Sequence, residues 1–143
     1  MEDKFDPLLL ENQLCFPLYA VSKALVRQYE PLLSELNLTY TQYIVMLAMW
    51  EKKTLSVNDI GAMVHLDSGT LSPLLQKLEE KGFLEKTRGQ DGRKRLISLT
   101  EEGENLKEKA KDIPLKIGNC LHLTPDEAKC LYNLCYKTLG WLE

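Results

Sequence analysis

With 143 residues, of which 44% are hydrophobic and 27% charged, the chain has the size and composition of one globular domain with a real core. No apolar stretch approaches the roughly 20 residues that cross a bilayer, and the first residues lack the order of a signal peptide, so we expect a cytoplasmic protein without membrane contact. The formal net charge of -3 excludes a protein that coats nucleic acid by overall charge, but it permits a local basic patch.

The first predicted element is a long amphipathic helix. Apolar residues recur at steps of three and four from Leu14 to Leu32. Because proline is tolerated in a first turn but breaks a helix interior, we expect the helix to begin shortly before Pro17 and to restart near Pro31. Cys15 then lies near a helix N-terminus.

The next three predicted helices include a helix-turn-helix. One helix follows Thr39 and runs to the polar stop at residues 51–53. Ser56, with Asp59 three residues on, has capping-box spacing and opens a short helix. Asp67 or Ser68 caps another helix, which Gly82 ends. Two short helices joined by a tight turn form a helix-turn-helix.

Two strands and further helices complete the pattern. Residues 83–88 and 93–99 predict strands around a turn at residues 89–92, which is typical of a wing. Thr100 begins a charged helix that reaches about Lys111 and is interrupted at Pro114, and residues 124–127 begin a last helix with an apolar stripe. The predicted fold class is mainly α with a small β-hairpin wing, a winged helix-turn-helix.

The wing and the second helix of the pair carry the candidate DNA contacts. An isolated basic loop is most often a solvated hairpin, and the helix is by itself an ordinary amphipathic core helix. The order helix, turn, helix, strand, basic turn, strand favours insertion of one helix into the major groove beside a wing that contacts phosphates and the minor groove. The candidate residues are Ser68, Thr70, Ser72, Gln76, Arg88, Asp91, Arg93, Lys94 and Arg95, with Lys86 and Gly69 beside them.

These residues resemble a known family. The block DSGTLSPLLQKLEEKGFL from Asp67 to Leu84, followed by Asp91-Gly-Arg93 and by LISLTEEG from Leu96, is similar to the MarR family of bacterial winged-helix regulators. The resemblance implies a homodimer that binds double-stranded DNA, with residues 39–99 as the DNA-binding part of a single domain and residues 1–38 and 100–143 as dimerisation helices. It also implies that Asp91 supports Arg93 in the minor groove.

The N-terminal segment resembles a particular branch of that family. LENQLCFPLYA from Leu10, with Tyr29 and Thr39-Tyr40 downstream, is similar to the organic-hydroperoxide-sensing repressors of the OhrR type. In those repressors the cysteine that matches Cys15 is oxidised to a sulfenic acid. The resemblance further implies that the tyrosines matching Tyr19, Tyr29 and Tyr40 surround it, and that Cys120 matches the resolving cysteine of a two-cysteine subclass.

Simple physics allows two interpretations of Cys15. A cysteine between Leu14 and Phe16 is most often a buried, inert thiol, and tyrosines most often pack in the core. In contrast, a thiol in a first helical turn feels the positive end of the dipole, which favours the reactive thiolate, and Tyr19 lies one turn on. Tyr29 lies roughly 20 Å further along the helix, so it reaches Cys15 only from an antiparallel partner helix.

The other cysteines and the rival functions complete the sequence-based account. A reducing cytoplasm keeps thiols free, and we expect structural burial for Cys130 and Cys135. We predict a repressor, not an enzyme and without cofactor or metal, that binds a pseudo-palindromic operator and releases it when an organic hydroperoxide oxidises Cys15. The alternatives are a thiol peroxidase, for which no βαβ pattern is present, and a winged-helix regulator with a small-molecule or zinc effector. Cys120 and His122 have poor spacing for zinc.

Overall fold

The structure is a computed structural model that describes residues 4–88, 92 and 95–143. The chain divides into two compact units, Met1–Lys111 and Asp112–Glu143, which we describe separately. None of the helices in the described ranges is both long and apolar enough to cross a membrane. The first unit contains a 3₁₀ turn at Leu10–Asn12, α1 (Cys15–Ser34), α2 (Tyr40–Lys52), β1 (Thr54–Ser56), α3 (Val57–Val64), α4 (Ser68–Glu80), β2 (Leu84–Arg88), β3 (Arg95–Leu99) and α5 (Glu101–Ala110). The second unit contains α6 (Ile113–Cys120) and α7 (Pro125–Leu142).

Helix α1 is continuous, so the predicted restart near Pro31 is wrong. Pro31 lies inside the helix, in its last turns, and α1 ends at Ser34. Proline cannot donate the main-chain hydrogen bond of its position, which disfavours it in a helix interior. The turn after Pro31 nevertheless carries Leu33 into the core, where it is 1% exposed. Burial of this leucine offsets the missing hydrogen bond.

Side-chain caps set the starts of the helices that follow. Thr39 and Gln42 form a reciprocal capping box at the start of α2, and Ser56 accepts a hydrogen bond from the Asp59 N–H at the start of α3. Asp67, rather than Ser68, caps α4 by accepting from the Thr70 N–H at 2.8 Å. Gly82 follows α4 with a φ of +82°, a left-handed conformation that glycine adopts without strain. The predicted helix-turn-helix is therefore present as α3 and α4.

The wing contains a third strand that the sequence did not predict. The antiparallel sheet has the order β1-β3-β2, with Leu55 opposite Ile97 and Lys86 opposite Ile97 on the other side. Strand β1 has three residues, too few for an alternating pattern, and its last residue, Ser56, also caps α3. The two-stranded prediction is therefore extended by one short strand.

The core of the first unit lies between α2, the helix pair and the sheet. Its fully buried side chains include Val45, Met46, Met49, Ile60, Leu71, Leu78 and Ile97. The start of α5 is fixed on this core, because Thr100 caps the helix and its hydroxyl donates to the Gly82 carbonyl at 2.6 Å. The end of α4 and the beginning of α5 are therefore held together.

The second unit confirms the predicted interruption and the predicted last helix. Pro114 lies in the first turn of α6, and Thr124 forms a capping box with Glu127 at the start of α7. No residue of α7 is buried in the chain alone. Its apolar stripe is in place along the helix but is open to solvent.

Candidate DNA interface and thiol site

Helix α4 presents a polar face to solvent. Ser68, Ser72 and Gln76 are spaced by four residues, so they lie along one side of the helix, and all three are exposed, as is Thr70. The opposite side buries Leu71, Leu74, Leu75 and Leu78. Hydrogen bonds from Thr70 lower the pKa of the capping Asp67. This helix therefore has small polar groups at its N-terminal end, as base and phosphate contacts require.

The described part of the wing places two arginines opposite each other. Arg88 ends β2, Arg95 begins β3, and the two are partners in the strand register. Both are exposed, whereas Lys86 pairs with Glu79 of α4 at 3.4 Å. The predicted contacts Asp91, Arg93 and Lys94 lie outside the described residues. The two strands of the wing thus carry facing positive charges at Arg88 and Arg95.

The thiol of Cys15 lies at the first residue of α1 and is exposed. Tyr19 follows one turn later on the same helix, is also exposed, and has the Lys23 ammonium 5.2 Å from its ring centroid. In the chain alone, the Cys15 thiol is therefore accessible rather than buried.

Three tyrosines form a contact cluster at the other end of α1. The ring centroids of Tyr29 and Tyr40 are 4.8 Å apart, and that of Tyr43 is 5.7 Å from Tyr29. Burial, with the neighbouring Tyr40 and Tyr43, raises the pKa of Tyr29 to about 12, and burial also raises the pKa of Tyr40 and Tyr43. The cluster therefore remains neutral and able to donate hydrogen bonds at physiological pH.

Tyr43 is a member of this cluster that the sequence-based predictions did not name. It is 3% exposed and packs on Tyr29 and Tyr40 as well as on Trp50, whose centroid is 6.4 Å away. Its spacing of three residues from Tyr40 places both on one helix face, which is the signal that could have identified it.

The two halves of the predicted sensor are separated within one chain. Cys15 and Tyr29 are fourteen residues apart on the unbroken helix α1, which corresponds to about 21 Å at the usual rise per residue. The structure brings together Tyr29 and Tyr40, and it leaves Cys15 and Tyr19 at the opposite end of the helix.

The remaining cysteines are all accessible in the chain alone. Cys120 is the last residue of α6, and Cys130 and Cys135 lie on α7. The burial expected for Cys130 and Cys135 is therefore not found in the single chain, where both are exposed. Across the described parts of the chain, no group of three or more histidine, cysteine or acidic side chains could hold a metal ion.

The fold and these residues define a winged-helix transcriptional regulator, and comparison with known proteins supplies the family. The family described as transcriptional regulator SarA/Rot matches residues 27–110. A relative named organic hydroperoxide resistance transcriptional regulator, from Bacillus subtilis (strain 168), is 48% identical over 144 residues, covering 100% of this chain and 98% of its own. The chain therefore belongs to the SarA/Rot-type regulators of the MarR family. Its relatives are transcriptional regulators and not enzymes, as the sequence predicted.

Solved structures agree with this assignment. Reduced AbfR bound to DNA has a TM-score of 0.78 and 36% sequence identity, covering 93% of this chain and 94% of that one. AbfR comes from Staphylococcus epidermidis. The disulfide-formed AbfR is similar with a TM-score of 0.66 and 38% identity, covering 93% of this chain and 91% of that one. The predicted mainly α fold with a small wing is confirmed.

Proposed function

We propose that the protein is a homodimeric repressor that binds a pseudo-palindromic operator while Cys15 is reduced and releases it after an organic hydroperoxide oxidises that thiol. One observation carries the proposal: an accessible thiol begins α1, and a neutral tyrosine cluster lies at the other end of the same unbroken helix. A second copy of the chain is needed to bring these two halves together.

Exposed apolar side chains support such a dimer. The N-terminal half of α1 exposes Leu14, Phe16, Leu18 and Val21, and α7 exposes Leu131, Leu134, Trp141 and Leu142. A row of large exposed apolar side chains along a helix is typical of an interaction surface, and a two-fold interface covers the same residues on both copies. We assign residues 1–38 and 100–143 to this interface and residues 39–99 to DNA binding.

The two-fold symmetry of the dimer determines the sensor geometry. If the two copies of α1 run antiparallel, Cys15 of one subunit meets Tyr29 and Tyr40 of the other, and two identical sites result. A crevice of about 540 Å³, lined by Val26, Glu30, Ser34, Leu38, Thr39, Tyr40 and Thr41, opens beside the cluster. Its apolar side chains can accept the organic part of a hydroperoxide.

The chemistry at this site requires one thiol and one peroxide. The Cys15 sulfur attacks the terminal peroxide oxygen, the O–O bond breaks, and an alcohol leaves with the thiol proton, which gives a sulfenic acid. The neutral tyrosines can donate hydrogen bonds to the sulfur and to the departing oxygen. The peroxide is thereby reduced by two electrons and the cysteine is oxidised by two.

One similarity supports the choice of effector, and a second supports a redox response in general. The relative that matches the whole chain at 48% identity is named for organic hydroperoxide resistance. AbfR, with 36% identity, has been solved both reduced and overoxidised with DNA. We place this regulator in the cytoplasm, because the DNA that it controls lies there and because that compartment keeps thiols reduced.

A DNA-binding assay tests the proposal directly. The probe is a duplex from the region upstream of the gene that encodes the protein, and the oxidant is cumene hydroperoxide. We expect the reduced protein to bind as a dimer and the oxidised protein to dissociate, with recovery after a dithiol reductant. Binding that is unaffected by the hydroperoxide would contradict the proposed effector, and a monomer bound to the duplex would contradict the shared site.

A further inference from the structure

Lys81 connects the end of helix α4 to the turn between α1 and α2. It is the residue directly after α4, and its ammonium donates to the main-chain carbonyl of Asn37 at 2.6 Å and to the Gln42 Oε1 at 2.8 Å. These partners are 44 and 39 residues away in sequence. A charged donor at the end of α4, the helix proposed above to contact DNA and here called the recognition helix, is therefore bonded to a different part of the fold.

The hydrogen bond from Lys81 to Gln42 reaches a buried side chain that also caps α2. Gln42 is 4% exposed, and the same Oε1 accepts the Thr39 N–H at 3.1 Å as part of the capping box of α2. Tyr40, the first residue of α2, lies between these two capping residues. We call residues 37–42, which contain Tyr40, the Tyr40 turn. A rotation of this turn moves the Gln42 Oε1 that accepts the hydrogen bond from Lys81.

The environment of the Lys81 ammonium affects its hydrogen bonds to Asn37 and Gln42. Burial, together with the positive charge of Lys77, lowers the pKa of Lys81. Hydrogen bonds from a charged donor are stronger than those between neutral groups, and Lys81 makes two of them. The two acceptors therefore restrain the position of the end of α4 relative to the turn.

We propose that Lys81 is a positioning residue that transmits the state of the Tyr40 turn to the recognition helix α4. This inference rests on the proposed peroxide response. When oxidation of the partner's Cys15 displaces Tyr40, Gln42 and Asn37 move with the turn, and Lys81 carries the end of α4 along. The spacing of the two recognition helices then no longer fits the operator.

The test compares the effect of oxidation on operator affinity in matched variants. Lys81→Met keeps the aliphatic stem and removes the ammonium, and Gln42→Met removes the acceptor. Gln42→Glu keeps an acceptor for both Lys81 and the Thr39 N–H. Lys77→Met removes an ammonium one turn earlier on the same helix and serves as the control.

The measured quantity is the ratio of operator Kd after and before treatment with cumene hydroperoxide, at a temperature where every variant is folded by circular dichroism. We expect Lys81→Met and Gln42→Met to reduce this ratio at least about fivefold, the lower end of typical coupling effects. Gln42→Glu and Lys77→Met should keep the ratio of the unmodified protein. The double variant Lys81→Met/Gln42→Met should lose no more than either single variant, because both remove one link.

A second readout separates transmission from sensing. The rate at which cumene hydroperoxide consumes the Cys15 thiol should be the same in Lys81→Met and in the unmodified protein. If Lys81→Met releases DNA by the same factor as the unmodified protein, or if Lys77→Met loses as much, the role of Lys81 is refuted. If the unmodified protein itself keeps the operator after oxidation, the proposed function fails, and the role of Lys81 fails with it.

Discussion

The indole N–H of Trp50 donates a hydrogen bond to the main-chain carbonyl of Gly103, 2.8 Å away and shielded from solvent. Trp50 lies near the end of α2 and Gly103 lies in the first turn of α5. On the other side, a Cβ atom on Gly103 would lie 2.2 Å from the Phe83 carbonyl oxygen. The start of α5 is therefore clamped between α2 and the segment that leads into the wing.

Replacing Gly103 with Ala should destabilise the protein strongly. The added methyl group would overlap the Phe83 carbonyl, so the backbone must shift at the base of the wing. Overpacking of this kind typically costs about 1–3 kcal/mol, and an overlap with backbone lies at the upper end. Gly140→Ala should lose no stability, because beyond its own helix no described residue has an atom within 4 Å of the added Cβ. Urea unfolding of both variants checks this, and equal midpoints would contradict the close contact.

Replacing Arg88 and Arg95 with Ala should reduce the dependence of operator binding on salt. The two arginines are exposed and face each other across strands β2 and β3 of the wing, where they can neutralise phosphates. Each lost phosphate contact lowers the slope of log K against log salt concentration by about 1, so the double variant should lose about 2. Lys129→Ala on α7 should keep the original slope. An unchanged slope in the double variant would place the wing away from the DNA backbone.

The tyrosine cluster should make the protein less stable in strong base. In the folded protein the pKa of Tyr29 is raised to about 12, whereas its ordinary value is 10.0. As the pH rises, the unfolded state therefore loses the Tyr29 phenol proton at a lower pH than the folded state does. The resulting stabilisation is complete below pH 10 and is lost as the pH rises through about 12. Tyr29→Phe should flatten the fall in unfolding free energy over this range, and an identical fall in both proteins would argue against the buried phenol.

Cys120 should capture the oxidised Cys15 of the partner subunit. A sulfenic acid condenses with a nearby thiol to a disulfide and water. We expect a covalent dimer on a non-reducing gel after peroxide treatment, lost in Cys120→Ser and retained in Cys130→Ser and Cys135→Ser. A covalent dimer in Cys120→Ser would assign the resolving role to another thiol. No covalent dimer in the unmodified protein would indicate capture by a small thiol.

The elements that the sequence predicts well are those whose signals are local. The helix-turn-helix follows from caps at Ser56 and Asp67 and from Gly82, each of which acts within a few residues of itself. The three residues of β1 carry no periodicity of their own. The predicted helix break at Pro31 was wrong because the burial of Leu33 in the same turn outweighs the preference of proline against a helix interior.

The contacts that the sequence missed are those between distant residues. Nothing near Lys81 indicates that its partners are Asn37 and Gln42, since such a contact depends on the tertiary arrangement. The apolar stripe of α7 shows a related difficulty. Its pattern predicts burial, but it does not distinguish burial within the chain from burial against a second copy, and the single chain leaves the stripe open.

The most direct measurement of the central claim uses Cys15→Ser in the operator-binding assay. Serine retains the size of the side chain but cannot form a sulfenic acid, so this variant should bind the operator like the unmodified protein and stay bound after cumene hydroperoxide. Cys130→Ser is the matched control and should still be released. If Cys15→Ser dissociates from the operator as readily as the control, Cys15 is not the switch and the account of the shared thiol site is contradicted.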